Sequence, residues 1–282
     1  MADGVAGLTL ALAAGATLDV QPIAVGLTAS LLLFLFGMSQ NDLADVNKDR
    51  RNRSRRPLAS GALALKTGVL VVSITGLLAL FCAFLLPPPA RWLIVSLLLS
   101  ISLYNLWPGH VGLLGPPVLG AIRGQNLMLG AALLGAPLSA LPAAVCYGLY
   151  ITAVSSAARM EDGERPPTAS GLTWRIRLAQ LLAPLSVAAV LVHPGPGSSL
   201  AIASGFAVAA AQIGFLERAL RRSVQDGRLE GVPVAALIGA CLSAIFLLDA
   251  ALCAAAGGFR AAILLLLLFP LSRTLARRFP PS

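Results

Sequence analysis

The chain has 282 residues, 57% of them hydrophobic and 12% charged, with a mean hydropathy of +0.83 and a formal net charge of +9. A soluble domain carries roughly twice that share of charge, so the composition excludes one. The cationic excess has no aromatic-interleaved polar face behind it, which sets nucleic-acid binding aside. A backbone in lipid must satisfy its own hydrogen bonds, and the fold class that follows is an all-α polytopic membrane bundle.

A short apolar run at 5–18, preceded by Asp3, opens the chain and is brief for a crossing. Spans of sufficient length follow at 22–40, 65–86, 91–107, 115–136, 139–158, 174–193, 198–218 and 233–255, and a second short run lies at 259–272. Nine or ten transmembrane helices result. Tight connections at 19–21, 87–90, 137–138 and 194–197 alternate with long, charged ones. No linker or shift of composition divides residues 1–282, which read as a single domain, and the start lacks the cationic region of a cleavable signal peptide. Of the 21 Lys and Arg residues, 18 fall in the connections after the second, sixth, eighth and tenth spans or on their flanks. Arg91 and Arg260 lie on the other side, and Arg123 lies within a span. The positive-inside rule therefore puts the 41–66 connection in the cytoplasm, as for a multi-pass protein of a bacterial inner (plasma) membrane. Cys82, Cys146, Cys241 and Cys253 stand singly in apolar segments, and His110 and His193 lie at segment ends. Neither zinc, a disulfide framework nor a Ser-His-Asp triad is indicated.

Where the 22–40 span meets water the sequence reads NDLADVNKDRRNRSRRPLASG, Asn41 to Gly61. On a helix Asn41, Asp42, Asp45 and Asp49 fall within an arc of roughly 100°. Carboxylates so placed repel one another unless a cation sits among them, and hard oxygen ligands suit Mg²⁺ held jointly with phosphate. Lys48, Arg50, Arg51, Arg53, Arg55 and Arg56 follow, and such a cluster grips diphosphate oxygens. The plainer reading ends a helix at Asn41 and Asp42 and gives the arginines to topology. It accounts for the cations but not for three acids in register. Pro57 and Gly61 stop the helix and bend the connection, allowing it to fold back over the site.

Asn-Asp-x-x-Asp-x-x-x-Asp followed by Arg-Pro-Leu-x-Ser-Gly, here Asn41, Asp42, Asp45, Asp49 and Arg56 to Gly61, resembles the first signature of the UbiA superfamily of intramembrane prenyltransferases. The resemblance implies a helical bundle around a central chamber. There Mg²⁺ bridges acidic motifs and an isoprenyl diphosphate, and a lipophilic acceptor, aromatic or other, attacks the allylic carbon as diphosphate leaves. It further implies Asn41, Asp42 and Asp45 as metal ligands, Asp49 as an outer ligand or orienting group, and Arg53 or Arg56 on the diphosphate. A relative of this family has a polar stretch and the start of a helix before residue 5. Met1 accordingly reads as an internal start or as the mark of a lost element.

The chain departs from the family at the second motif, a DxxxD at the cytoplasmic end of the sixth span. Ser155 to Pro167 reads SSAARMEDGERPP, and the residues four before Glu161, Asp162 and Glu164 are Ala157, Ala158 and Met160. Glu161 and Glu164 share a face at i, i+3 and are candidate ligands of a second Mg²⁺, with Arg159 as a phosphate contact. A solvated loop of mixed charge accounts for them equally well.

Inside the 115–136 span stand Arg123 and Asn126, the arginine about 12 Å from the cytoplasmic end. A charge at that depth faces a wet cavity or a partner, and both residues are assigned to the substrate-facing wall. Arg123 joins Asp42 and Asp45 as a catalytic candidate. The string GAIRGQNLMLG, Gly120 to Gly130, is similar to the UbiA-like EboC branch. Tyr104, next to Asn105, serves as a chamber residue or as an interfacial anchor. Tyr147 and Tyr150 either face a carbocation or pack between helices. Asp249 lies too far in depth from Arg123 to be its partner and is read as an interhelical hydrogen-bond group. The leading reading is prenyl transfer within the membrane. Its rival is a non-catalytic prenyl-diphosphate or lipid binder, or a transport-associated protein, with a degenerate second motif.

Overall fold

A computed structural model describes residues 2–52, 56–106, 114–160, 168–192, 198–225, 228–229 and 234–278. Eleven helices run through them: α1 (Ala2–Ala13), α2 (Val20–Ala44), α3 (Val46–Asn52), α4 (Leu65–Phe84), α5 (Pro88–Leu106), α6 (Gly115–Ala132), α7 (Pro137–Ala158), α8 (Ala169–Ala188), α9 (Ser199–Ser223), α10 (Val234–Ala255) and α11 (Phe259–Arg278). A tight helical turn extends α8 to Val192, and two short antiparallel strands, Val224–Gln225 and Arg228–Leu229, follow α9. The starts of α2, α8 and α9 are set by side chains that accept orphan amide protons. Asp19 takes the Gln21 amide at 3.1 Å, Thr168 that of Gly171 at 3.2 Å, and Ser198 that of Ala201 at 3.3 Å.

Seven helices are long and apolar enough to cross a membrane: α2, α4, α5, α7, α8 with its extension, α9 and α10. The other three expected crossings are present as helices of a different kind. At 12 residues α1 rises about 18 Å against a hydrocarbon core of about 30 Å, α11 is apolar only over Phe259–Leu271, and α6 carries Arg123 along its length. Phe34, Leu77, Phe81, Trp92, Leu99 and Leu267 are each 57–68% exposed. In water such a belt would drive association; against acyl chains it is the natural surface.

The interior divides in two. One core joins α1, α6, α7, α8, α9, α10 and α11, and a smaller one joins α2, α4, α5 and α6. Helix α10 is the central element, with 72% of its apolar window buried against 22% in α2. Alanine is the commonest residue of the larger core, and glycines set its closest contacts. A β-carbon added at Gly7 would stand 1.9 Å from the Leu127 carbonyl oxygen, and one at Gly130 would stand 2.0 Å from that of Gly4. Helices α1 and α6 therefore meet backbone to backbone, the geometry that small residues permit in membranes. Arg91, a cation on the poorer side, caps α4: its guanidinium donates to the carbonyls of Ala83 (3.4 Å), Phe84 (3.2 Å) and Leu86 (3.4 Å).

Gly7→Val is expected to push α1 off α6 and to cost at least the 1–3 kcal/mol, roughly, of an overpacked core. A thermal melt in detergent checks this, with Gly214→Val, which meets no neighbour within 4 Å, as the control.

Candidate active site at the end of α2

Helix α2 runs past the expected end at residue 40 and carries the motif on its last turn. It stops at Asp45, whose amide still donates to the Asn41 carbonyl at 2.9 Å; α3 restarts at Val46, and the Asp49 amide donates to the Asp45 carbonyl at 2.8 Å. Helical register places Asp42 and Asp49, two turns apart, nearly in line. One Arg56 nitrogen, Nη1, donates to Asp42 Oδ1 at 3.3 Å and to Asp49 Oδ2 at 2.8 Å. The Asp49 side chain is 8% exposed and that of Asp42 46%. On the neighbouring face Asn41 Nδ2 donates to Asp45 Oδ2 at 3.4 Å. The single arc expected from the helical wheel is thus resolved into two pairs. The break at Asp45 and the intruding guanidinium separate them.

Arg56 lies in the connection from α3 to α4, whose described part, 56–64, folds back as expected. Ser60 N donates to Arg56 O at 2.8 Å, Leu63 N donates to Pro57 O at 3.0 Å, and Gly61 takes a left-handed φ of +79° that a side chain would strain. Between this turn, α2 and α4 lies a half-open cavity of about 210 Å³. Asp42, Asp49 and Arg56 form its polar wall, and Leu58, Leu63 and Val71 its apolar one. Among the described residues no three His, Cys, Asp or Glu side chains are already grouped to hold a metal ion. The donor chemistry nevertheless fits Mg²⁺. Two carboxylates already converge on one cationic nitrogen beside an open cavity, a hard-oxygen set that a divalent ion completes with phosphate and water.

The remaining expected residues fall elsewhere. Arg53, Glu161 and Glu164 lie outside the described residues. Arg159 caps the end of α7, its amide donating to the Ser155 carbonyl at 3.1 Å. Half-buried Tyr104 precedes Asn105, which ties α5 to α2 through the Gly37 carbonyl at 3.0 Å and Gln40 Oε1 at 3.2 Å. Tyr150 takes the packing role: its hydroxyl accepts from Gln212 Nε2 at 3.1 Å inside the core. Tyr147 is fully buried as well.

Arg123 and Asn126 form a second polar centre, with Asp3 as the partner that sequence reasoning did not assign. Asp3 is 1% exposed and accepts from Arg123 Nη1 at 3.2 Å and from Asn126 Nδ2 at 2.6 Å; Ser30 Oγ of α2 donates to Asn126 Oδ1 at 3.1 Å. The signal was available, since an acid beginning an apolar helix and an arginine within another are natural complements in a bilayer. Asp249 is 1% exposed on α10, and the ion pair of Arg123 is made with Asp3 instead.

The architecture and site define a multi-pass helical membrane protein with an acidic and cationic cavity at one end of the bundle. The model of the UbiA prenyltransferase family matches residues 4–230, and the chain belongs to that family. No curated protein matches the sequence. Among solved structures, a digeranylgeranylglyceryl phosphate synthase superposes with a TM-score of 0.66 at 17% identity over 90% of this chain and 92% of that one. A UbiA homologue from Archaeoglobus fulgidus bound to GPP and Mg²⁺ gives 0.63 at 16% over 93% and 96%, and the same homologue bound to DMAPP and Mg²⁺ gives 0.60 at 16% over 86% and 96%. At these identities the likeness is one of fold.

Arg123→Ala would leave Asp3 buried without its cation and is expected to cost about 3 kcal/mol, the lower end for a broken buried pair because Arg123 is partly exposed. Melts in detergent check it. The double variant Asp3→Asn/Arg123→Ala should recover most of the loss, and a double loss equal to the sum of the two single losses would show that the pair carries no coupling.

Proposed function

We propose that the protein transfers an isoprenyl group from a prenyl diphosphate to a lipophilic acceptor within the membrane, with Mg²⁺ at the end of α2. The observation that carries the reading is the convergence of Asp42, Asp49 and Arg56 on one cavity where the bundle reaches its cation-rich side. Family membership and the Mg²⁺ and prenyl diphosphates of the Archaeoglobus homologue support it. Asp42 and Asp49, with Asn41 and Asp45 on the adjoining face, are the metal-holding set, and Glu161 and Glu164 are the candidates for a second ion. Arg56 and Arg53 bind diphosphate oxygens, with Arg159 as a further contact. Arg123 and Asn126 line the deeper polar wall, and Tyr104 the side of the chamber. Apolar walls shelter the developing allylic cation from water while the acceptor approaches. When bound, Mg²⁺ stabilises the negative charge that gathers on the departing diphosphate. The mouth faces the cytoplasm of a bacterial inner membrane, following the cation asymmetry. The Gly120–Gly130 string supports a position beside the EboC branch.

Asp42→Ala is expected to abolish Mg²⁺-dependent binding of a prenyl diphosphate to the purified protein. A thermal-shift or mass-spectrometric series over prenyl diphosphates of graded length, with and without Mg²⁺, measures it. Unchanged binding in Asp42→Ala would sink the assignment, and binding without consumption by any acceptor would leave a binder. Loss of turnover in Glu161→Gln/Glu164→Gln, with binding retained, is the outcome expected if that cluster holds a second ion.

A further inference from the structure

We propose that Arg56 is an exchangeable counter-ion: it neutralises Asp42 and Asp49 in the free protein and passes to the diphosphate when a divalent cation takes over the carboxylates, so that metal and diphosphate bind as a pair. This rests on the proposed function of the same site. The argument begins with Asp49. Its carboxylate is 8% exposed and sits 2.8 Å from the guanidinium, and a buried charge stripped of its partner is costly. A metal ion arriving alone must displace a cation already engaged by two carboxylates. It would also leave that guanidinium, itself 23% exposed, beside Leu58, Leu63 and the metal's own positive charge. Diphosphate arriving alone meets two carboxylates and an arginine already committed to them. Arriving together, the metal satisfies Asp42 and Asp49, and the freed guanidinium finds phosphate oxygens that suit its planar fork.

The position of Arg56 allows the exchange. It is the first residue of the turn whose Pro57, Leu58 and Ala59 line the cavity, so its side chain moves between the carboxylates and the cavity space without disturbing α2. Each ligand removes the obstacle to the other, and coupling of this kind is reciprocal.

The test uses Mn²⁺ binding to the purified protein, followed by electron paramagnetic resonance of the free ion, with and without inorganic diphosphate. Wild type is expected to bind Mn²⁺ at least about tenfold more tightly when diphosphate is present, within the usual range of coupling between sites. Arg56→Gln should bind Mn²⁺ alone several-fold more tightly than wild type and lose most of the coupling. Lys66→Gln removes a charge of the same sign from an exposed position in the first turn of α4 and should leave both values within about twofold. If Arg56→Gln does not fold, Arg56→Lys replaces it, with shifts in the same direction and smaller. Wild-type coupling retained in the Arg56 variant, or its effect reproduced by Lys66→Gln, overturns the exchange while leaving the metal–diphosphate site intact. Wild type that binds neither Mn²⁺ nor diphosphate overturns the site and the exchange together.

Discussion

Two carboxylates sharing one guanidinium at the rim of an apolar bundle set the terms for everything around them. Acids so close to hydrocarbon persist only beside positive charge, because the low dielectric magnifies both their repulsion and their desolvation. Here the cation comes from the same chain, fourteen residues after Asp42 and seven after Asp49. That demand shapes the local architecture. Helix α2 must carry Asp42 to its very end, α3 must resume in register to bring Asp49 alongside, and the turn to α4 must double back to present Arg56. The cavity is what the doubling back encloses.

The deeper polar centre obeys the same rule with different parts. Asp3, Arg123 and Asn126 come from two helices whose backbones touch, so the buried carboxylate finds its two donors close at hand. Ser30 extends the network to α2, the helix that bears the acidic motif. Wall and mouth of the bundle are in this way linked through a single element.

Much of this was legible in the residues. The Asn41–Gly61 string announced an acidic and cationic site at a membrane edge, and the apolar spans announced the bundle. The pairing within the motif was legible only in part. Register alone puts Asp42 and Asp49 in line, but the decisive partner, Arg56, enters from a turn whose path no periodicity describes. Arg123 was recognisable as needing a counter-charge, yet choosing Asp3 required knowing that α1 lies against α6. That contact depends on glycines at 7 and 130, whose meaning is steric and appears only once both backbones are placed.

The glycine seams of the larger core impose a directional tolerance on the protein's future variation. Where α6 meets α7, a methyl at Gly120 would stand 2.3 Å from the Gly148 carbonyl oxygen, and Ala140, Ala143 and Ala144 continue the close packing. Enlargement is barred along that seam. Room for bulkier or longer guests must therefore be carved from the leucines and isoleucines that flank it in both cores. A mutational library would show this as a nearly frozen seam between plastic flanks.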